Sequence, residues 1–262
     1  MSVTKSTLSN GLTVVTHAMP EVETVSLGIW VGAGSRSEQL SEHGVAHFLE
    51  HMAFKGTRRR SAREIVEEIE AVGGDLNAAT SVDSTGYYAR VLQKDLPLAL
   101  DILSDIILEP RFDGGELARE RDVILQEIAA SSDSPDDVAY DFLSEAAFPD
   151  QPVGRPILGT ADSVCGFERD HLRSYLSTHY HAPNMVLAAA GAVDHGTFVM
   201  EAERRLPSLS SDGTPVPQKA VYGGGRRQSN KPFEQTHLMI GLEAPAYHQP
   251  DYFTSQILSG AL

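Results

Sequence analysis

Hydrophobic and polar positions alternate in short runs near the N-terminus of the chain and then follow a helical period. Alternation with a period of two predicts strands, whereas apolar residues spaced three and four apart predict helices. A capping box formed by Ser61 and Glu64 marks the start of one of these helices. The predicted strands cover 11–17, 25–31, 76–82, 85–92 and 185–193, and the predicted helices cover 41–54, 65–72, 95–108, 115–130, 135–148, 168–180 and 194–206.

A polar segment at 208–231 separates these elements from a second, shorter hydrophobic pattern. The segment is rich in Ser, Gly, Pro and charged residues, which is typical of a linker. After it, residues 236–245 resemble residues 25–34, and a helical run follows at 251–262. A strand and a helix that restart after a linker indicate an internal repeat. We therefore predict one domain at 1–215, followed at 216–262 by a linker and the start of an incomplete second copy.

The composition is that of a globular protein with an acidic surplus. The chain has 262 residues, 41% of them hydrophobic, which excludes a largely disordered protein. Its 21 Lys and Arg against 36 Asp and Glu give a net charge of −15, and a nucleic-acid binder needs the opposite balance. The single cysteine, Cys165, excludes an intramolecular disulfide and is interpreted as structural. No apolar run is long enough to span a membrane. We therefore expect a cytoplasmic protein with neither a membrane nor a nucleic-acid partner.

The predicted helix at 41–54 contains the sequence His47-Phe-Leu-Glu50-His51. Residues four apart lie one turn apart on the same helix face, so both imidazoles can bind one zinc ion. Glu50, beside them, is placed to take a proton from an attacking water molecule. This order is the inverzincin form of the zinc-peptidase motif. The alternative is a helix whose two histidines are buried and only hydrogen-bonded.

A catalytic zinc site needs a third protein ligand, and the helix at 115–130 offers two glutamates for it. Glu120 and Glu127 are seven residues apart and therefore lie on one face of this helix. A carboxylate beside apolar neighbours is costly to bury unless it is paired or binds a metal. The alternative is a solvated acidic face on which Arg119 and Arg121 are the partners.

Several segments of the chain resemble one family of metalloproteases. The zinc-motif segment is Gly-Val-Ala-His-Phe-Leu-Glu-His-Met-Ala-Phe-Lys-Gly-Thr, and the segment downstream is Glu-Arg-Asp-Val-Ile-Leu-Gln-Glu; they lie at 44–57 and 120–127. Further similarities lie at 73–78, 154–159 and 180–185. Together these segments resemble the pitrilysin, insulin-degrading enzyme and mitochondrial processing peptidase family, in particular its processing-peptidase-like bacterial members.

The resemblance implies a fold and a set of site residues. The fold is α+β, a mixed sheet packed with helices as in LuxS-like and processing-peptidase-like metallohydrolases, used twice as a tandem repeat. His47, His51 and Glu127 would bind one Zn²⁺ per chain, Glu50 would be the general base, and Glu120 would orient a ligand.

The resemblance also implies where a substrate would bind. The strand after the two glycines at 73–74 resembles the substrate-binding edge strand of the family, where an extended peptide is added to the sheet. Its residues are Asn77, Ala78, Ala79 and Thr80. An ordinary sheet edge with small side chains is the alternative. Phe54 could line a side-chain pocket, although a core position fits it as well.

The function expected from these features is that of a zinc-dependent endopeptidase acting on extended polypeptides, with a preference for basic peptides as a further hypothesis. One alternative is a non-catalytic scaffold subunit of the same fold. Another is an inactive fragment, because the family's second half supplies an Arg and a Tyr whose motifs are absent from these residues. A second homologous domain or subunit, possibly in a homodimer, is the expected partner. A compartment similar to the mitochondrial matrix is the alternative location.

Overall fold

The computed structural model describes residues 3–261 of the chain, which form six strands and nine α-helices. The strands are β1 (Val3–Thr7), β2 (Thr13–Ala18), β3 (Thr24–Val31), β4 (Asp75–Thr80), β5 (Thr85–Leu92) and β6 (Met185–Gly191). The helices are α1 (Val45–Ala53), α2 (Ala62–Glu70), α3 (Leu96–Leu108), α4 (Gly114–Asp133), α5 (Pro135–Ala147), α6 (Ala161–Gly166), α7 (Arg169–His179), α8 (His195–Arg205) and α9 (Tyr252–Ala261).

The six strands form one mixed sheet in the order β1-β2-β6-β3-β5-β4. The pair β2–β6 is parallel and the other pairs are antiparallel. Helices α1 and α3 pack against the sheet, α1 on β4 and α3 on β3 and β5. This arrangement confirms the predicted α+β fold with a mixed sheet, and it leaves β4 at one edge.

The hydrophobic core lies between the sheet and the helices. Strand β3 buries Val25, Leu27, Ile29 and Val31, so its alternating pattern faces this core. Helix α3 is buried over most of its surface because α2 and α8 also contact it. A helix covered from several sides is mostly apolar, and α3 has only three polar residues: Asp101, Ser104 and Asp105.

Two elements were absent from the sequence-based prediction. Strand β1 pairs with β2 over five residues, but its sequence Val-Thr-Lys-Ser-Thr is polar and exposed, so it shows no hydrophobic alternation. Helix α6 is only six residues long, too short for a periodic pattern. The predicted start of α1 at residue 41 is also wrong, because Gly44 adopts a positive φ of 96° and the helix begins at Val45.

The second hydrophobic pattern does not form the predicted strand. Residues 236–245 have no regular secondary structure, although α9 forms where the second helix is expected. Leu238, Ile240 and Leu242 are each about four-fifths exposed. A strand needs a neighbouring strand for its backbone hydrogen bonds, and residues 236–245 pair with no strand in the described part of the chain. The division at residue 215 stays a prediction.

Two further expectations concern the environment of Cys165 and the presence of membrane-spanning helices. Cys165, interpreted from the sequence as structural, is exposed on α6 and lies outside the hydrophobic core. Of the helices in residues 3–261, none combines the length and the apolar character needed to cross a membrane.

Candidate metal centre

Helix α1 has an apolar face and a more polar face, and the zinc motif lies on the more polar one. Its inward face is apolar and buried; it consists of Val45, Ala46, Phe48, Leu49, Met52 and Ala53. The ring of Phe48 lies 6.0 Å from that of Phe167, which anchors this face in the core. His47, Glu50 and His51 are only partly buried and lie on the remaining face. Packing of the apolar face therefore presents the three polar residues together.

The N-terminus of α1 is held by a buried carboxylate. Glu38, 2% exposed, accepts hydrogen bonds from the backbone N–H groups of Gly44 and Ala46, both at 2.8 Å. These are donors that a helix start leaves without intrahelical partners. Arg155 donates to the backbone carbonyl of Glu38 and links the 154–159 loop to this cap. Burial raises the pKa of Glu38 to about 8.

The His pair of α1 and Glu127 of α4 converge on one point. Oε2 of Glu127 lies 3.6 Å from Nε2 of His47 and 3.6 Å from Nε2 of His51. These distances are too long for hydrogen bonds. Two ligands bound tetrahedrally to one zinc ion lie about 3.4 Å apart. Burial, together with the neighbouring His51, lowers the pKa of His47 to about 4, so this imidazole is neutral at neutral pH and can bind a metal. The three residues therefore fit a zinc ion.

Glu120 lies behind this ligand set. It is 6% exposed and is on the buried stripe of α4 between Leu117 and Ile124. Its Oε2 lies 3.1 Å from Nδ1 of His51, and its Oε1 lies 2.8 Å from Nζ of Lys55. The carboxylate can only accept, so Nδ1 of His51 donates and its Nε2 keeps a lone pair for the metal.

The alternative of a solvated acidic face with arginine partners does not hold for α4. Arg119 pairs with Glu116, and Arg121 donates to the backbone carbonyls of Val164 and Phe167. Sequence reasoning missed Lys55, which lies just beyond the end of α1, four residues after His51.

Two buried tyrosines form a hydrogen-bonded pair in the core. The hydroxyl groups of Tyr87 on β5 and Tyr180 after α7 lie 2.9 Å apart in the core. Burial raises the pKa of both hydroxyls, and the charge of Glu50 raises them further. Glu50 therefore lies within electrostatic range of this pair, which sequence reasoning also missed because the two tyrosines are far apart in the chain.

The predicted substrate strand is the edge strand β4. Ala78 is buried, Thr80 is partly buried, and Asn77 and Ala79 are exposed. The side-chain oxygen of Asn77 accepts the N–H of Ala78 at 2.8 Å. Because β4 packs against α1, the open edge and the zinc motif lie side by side. Phe54 is partly buried against the hydrophobic core, as its core interpretation requires.

Two further histidines, His179 and His181, contact other groups of the protein. His181 contacts the carbonyls of Ser177 and Asp212, whereas the ring of His179 stacks at 4.5 Å on Tyr175. Among the His, Cys, Asp and Glu side chains of residues 3–261, one group of three is close enough to share a metal ion: His47, His51 and Glu127.

Two family descriptions match the chain. "Insulinase (Peptidase family M16)" matches residues 13–161, which include all the residues of the metal centre, and "Peptidase M16 inactive domain" matches residues 166–262. The first match covers more than half of the 262 residues. The chain belongs to peptidase family M16. This membership confirms the family predicted from the motifs.

Relatives of this M16 chain are named as zinc proteases and processing peptidases. An uncharacterized zinc protease of Rickettsia bellii is 46% identical over 242 residues, which are 92% of this chain and 59% of the relative. The mitochondrial-processing peptidase subunit beta of Saccharomyces cerevisiae is 42% identical over 95% of this chain and 56% of its own length. The chain therefore spans somewhat more than half the length of these relatives.

The fold of the M16 chain also matches solved structures. A protease from Helicobacter pylori superposes with a TM-score of 0.80 at 24% identity, over 84% of this chain and 54% of that one. At this identity the match shows the fold alone.

Proposed function

We propose that this M16 chain is a zinc-dependent endopeptidase that hydrolyses peptide bonds in extended polypeptides. The observation that carries the proposal is the convergence of His47, His51 and Glu127 on one point, with Glu50 on the same helix. Two imidazoles and one carboxylate are the ligand types of catalytic zinc sites, in which a fourth position stays open.

The chain's own residues account for the proton transfers of the proposed reaction. Zinc, when bound, would polarise the scissile carbonyl and acidify the attacking water. Glu50 takes the proton from this water and passes it to the leaving amine. Glu120 holds the ring of His51 through Nδ1 while Nε2 faces the metal position.

Strand β4 is the proposed binding surface for the substrate. An extended peptide can continue the sheet beyond its edge, because an edge strand has backbone groups without a neighbouring strand. Ala79, exposed and small, allows a substrate backbone to approach closely. Since β4 contacts α1, a peptide on this edge would pass near the helix that carries Glu50. A substrate bound in this way must be extended, which excludes a peptide that keeps its helical fold.

The test compares zinc content and peptide hydrolysis in matched variants. The wild-type chain should contain one zinc per chain by elemental analysis and should cleave a fluorogenic unstructured peptide. Glu50→Gln should keep its zinc and lose activity by about 10²- to 10⁴-fold, because the general base is gone. Glu116→Gln, in the exposed ion pair with Arg119, is the control and should leave both unchanged. A wild-type chain without zinc would contradict the metal assignment.

A second candidate function is that of a zinc-binding domain whose turnover needs further polypeptide. It is supported by the partial span of the relatives and by the match of residues 166–262 to the "inactive domain" description. Zinc binding without hydrolysis, followed by hydrolysis when a second homologous domain or subunit is added, favours this candidate. Sedimentation measurements test the proposed homodimer. The non-catalytic scaffold predicts neither zinc nor turnover.

A further inference from the structure

We propose that Lys55 is a positioning residue of the metal centre, whose ammonium group holds the Glu120 carboxylate in the orientation that directs Nε2 of His51 at the metal. The inference rests on the zinc site proposed above and assigns a role to a residue outside the ligand set. It is carried by a three-membered chain of contacts, from Lys55 through Glu120 to His51.

The backbone fixes the position of Lys55. Its N–H donates to the carbonyl of Met52 at 3.2 Å, which forms a turn directly after the end of α1. Gly56 follows with a φ of +106°, and its carbonyl accepts the N–H of Arg111 at 3.0 Å. The chain is therefore held on both sides of Lys55. Its side chain starts one turn beyond His51 and is only 31% exposed.

The Glu120 carboxylate uses one oxygen for each neighbour. Oε1 lies 2.8 Å from Nζ of Lys55, and Oε2 lies 3.1 Å from Nδ1 of His51. The side chain of Glu120 is 8% exposed, so little water is available to replace a lost partner. Rotation about the last bond of a glutamate is soft, and two opposed contacts hold it in one orientation. Removal of Lys55 releases one side of the carboxylate and allows it to turn away from His51.

The competing explanation is that Lys55 only compensates a buried charge. In that case its loss destabilises the fold but does not change which nitrogen of His51 carries the proton. A positioning role predicts the opposite: the fold survives, while the tautomer of His51 and the affinity for zinc change. The tautomer therefore separates the two explanations.

The first experiment reads the tautomer in the zinc-free chain of 262 residues. With ¹⁵N-labelled histidine, the ring nitrogen shifts should show His51 in the Nδ1–H form, assigned by comparison with a His51→Gln variant. In Lys55→Met the same ring should become a mixture of tautomers. A wild-type His51 in the Nε2–H form overturns the inference without any Lys55 variant.

The second experiment measures zinc affinity by competition with a chromogenic chelator. Lys55→Met should bind zinc about 10- to 100-fold more weakly, the range found when an outer-shell partner is lost. Lys55→Arg keeps the charge and the donors and should restore most of the affinity. Arg58→Met removes a neighbouring charge that is exposed in a pair with Glu109, and it should bind zinc as the wild type does.

The outcomes distinguish this inference from the proposed function. Unchanged zinc affinity in Lys55→Met, with zinc bound by the wild type, overturns the inference alone. Equal loss in Lys55→Met and Lys55→Arg, with an unchanged tautomer, also overturns it. A wild-type chain that binds no zinc contradicts the proposed function, and the tautomer comparison then decides the role of Lys55 by itself.

Discussion

Gly159 should be among the positions of this chain that are most sensitive to a small substitution. It adopts a φ of +78°, and its backbone lies against the backbone of Gly44, the N-cap residue directly before the zinc helix α1. A Cβ atom on Gly159 would lie 2.5 Å from the carbonyl oxygen of His43 and 2.8 Å from Cα of Gly44. Both neighbours are backbone atoms, so a change of rotamer cannot relieve the contact.

The expected cost of Gly159→Ala has two parts. An L-residue in the left-handed region costs about 1–2 kcal/mol. Forcing a methyl group into a closed contact costs about 1–3 kcal/mol more, because the backbone must shift. The free energy of unfolding should therefore fall by about 2–5 kcal/mol, a large part of the 5–15 kcal/mol typical of a folded protein. Any shift of Gly44 also moves α1, so zinc affinity should fall with stability.

The assay is urea unfolding followed by circular dichroism, together with zinc affinity from chelator competition. Gly166→Ala is the matched control: a Cβ at this position meets open space, and the residue ends helix α6. The control should be neutral or slightly stabilising, because alanine is the better helix former. If Gly159→Ala unfolded within about 0.5 kcal/mol of the wild type, the usual scatter of a surface substitution, the close contact between the two glycines would be wrong.

Three further predictions concern charge. Because burial raises the pKa of Glu38 to about 8, the folded chain keeps a proton between pH 5 and pH 8 that the unfolded chain has released. The free energy of unfolding should therefore fall across this interval by up to about 1.4 kcal/mol per pH unit. In urea titrations at several pH values, Glu38→Gln should lack this part of the pH dependence. Asp105→Asn should lower the free energy of unfolding by about 3–5 kcal/mol, because it breaks a buried ion pair with Arg60 at 2.9 Å. Its control, Glu67→Gln, lies in an exposed ion pair and should change the free energy of unfolding by less than about 1 kcal/mol. The net charge of −15 should favour a basic over an acidic version of one unstructured peptide, and equal kcat/KM values at low salt would contradict this preference.

The metal centre combines residues of one helix with residues that are distant in the chain. The spacing of His47, Glu50 and His51 is a property of one helix, and one helix face follows from the sequence. The residues alone left both Glu120 and Glu127 open as the third ligand, and the family resemblance singled out Glu127. The structure brings Glu127 to the two imidazoles and turns Glu120 to the far side of His51.

The sequence by itself determined what neighbours in the chain decide: most strands and helices, the Ser61–Glu64 cap, which the structure shows in full, and the zinc motif. Only the tertiary structure decided that Glu120 lies on Nδ1 of His51, that Lys55 pairs with Glu120, and that 236–245 forms no strand. The physical reason is the range of the interactions. Helical periodicity and capping act within a few residues, whereas a strand, a buried carboxylate and a metal site each need partners from distant parts of the chain.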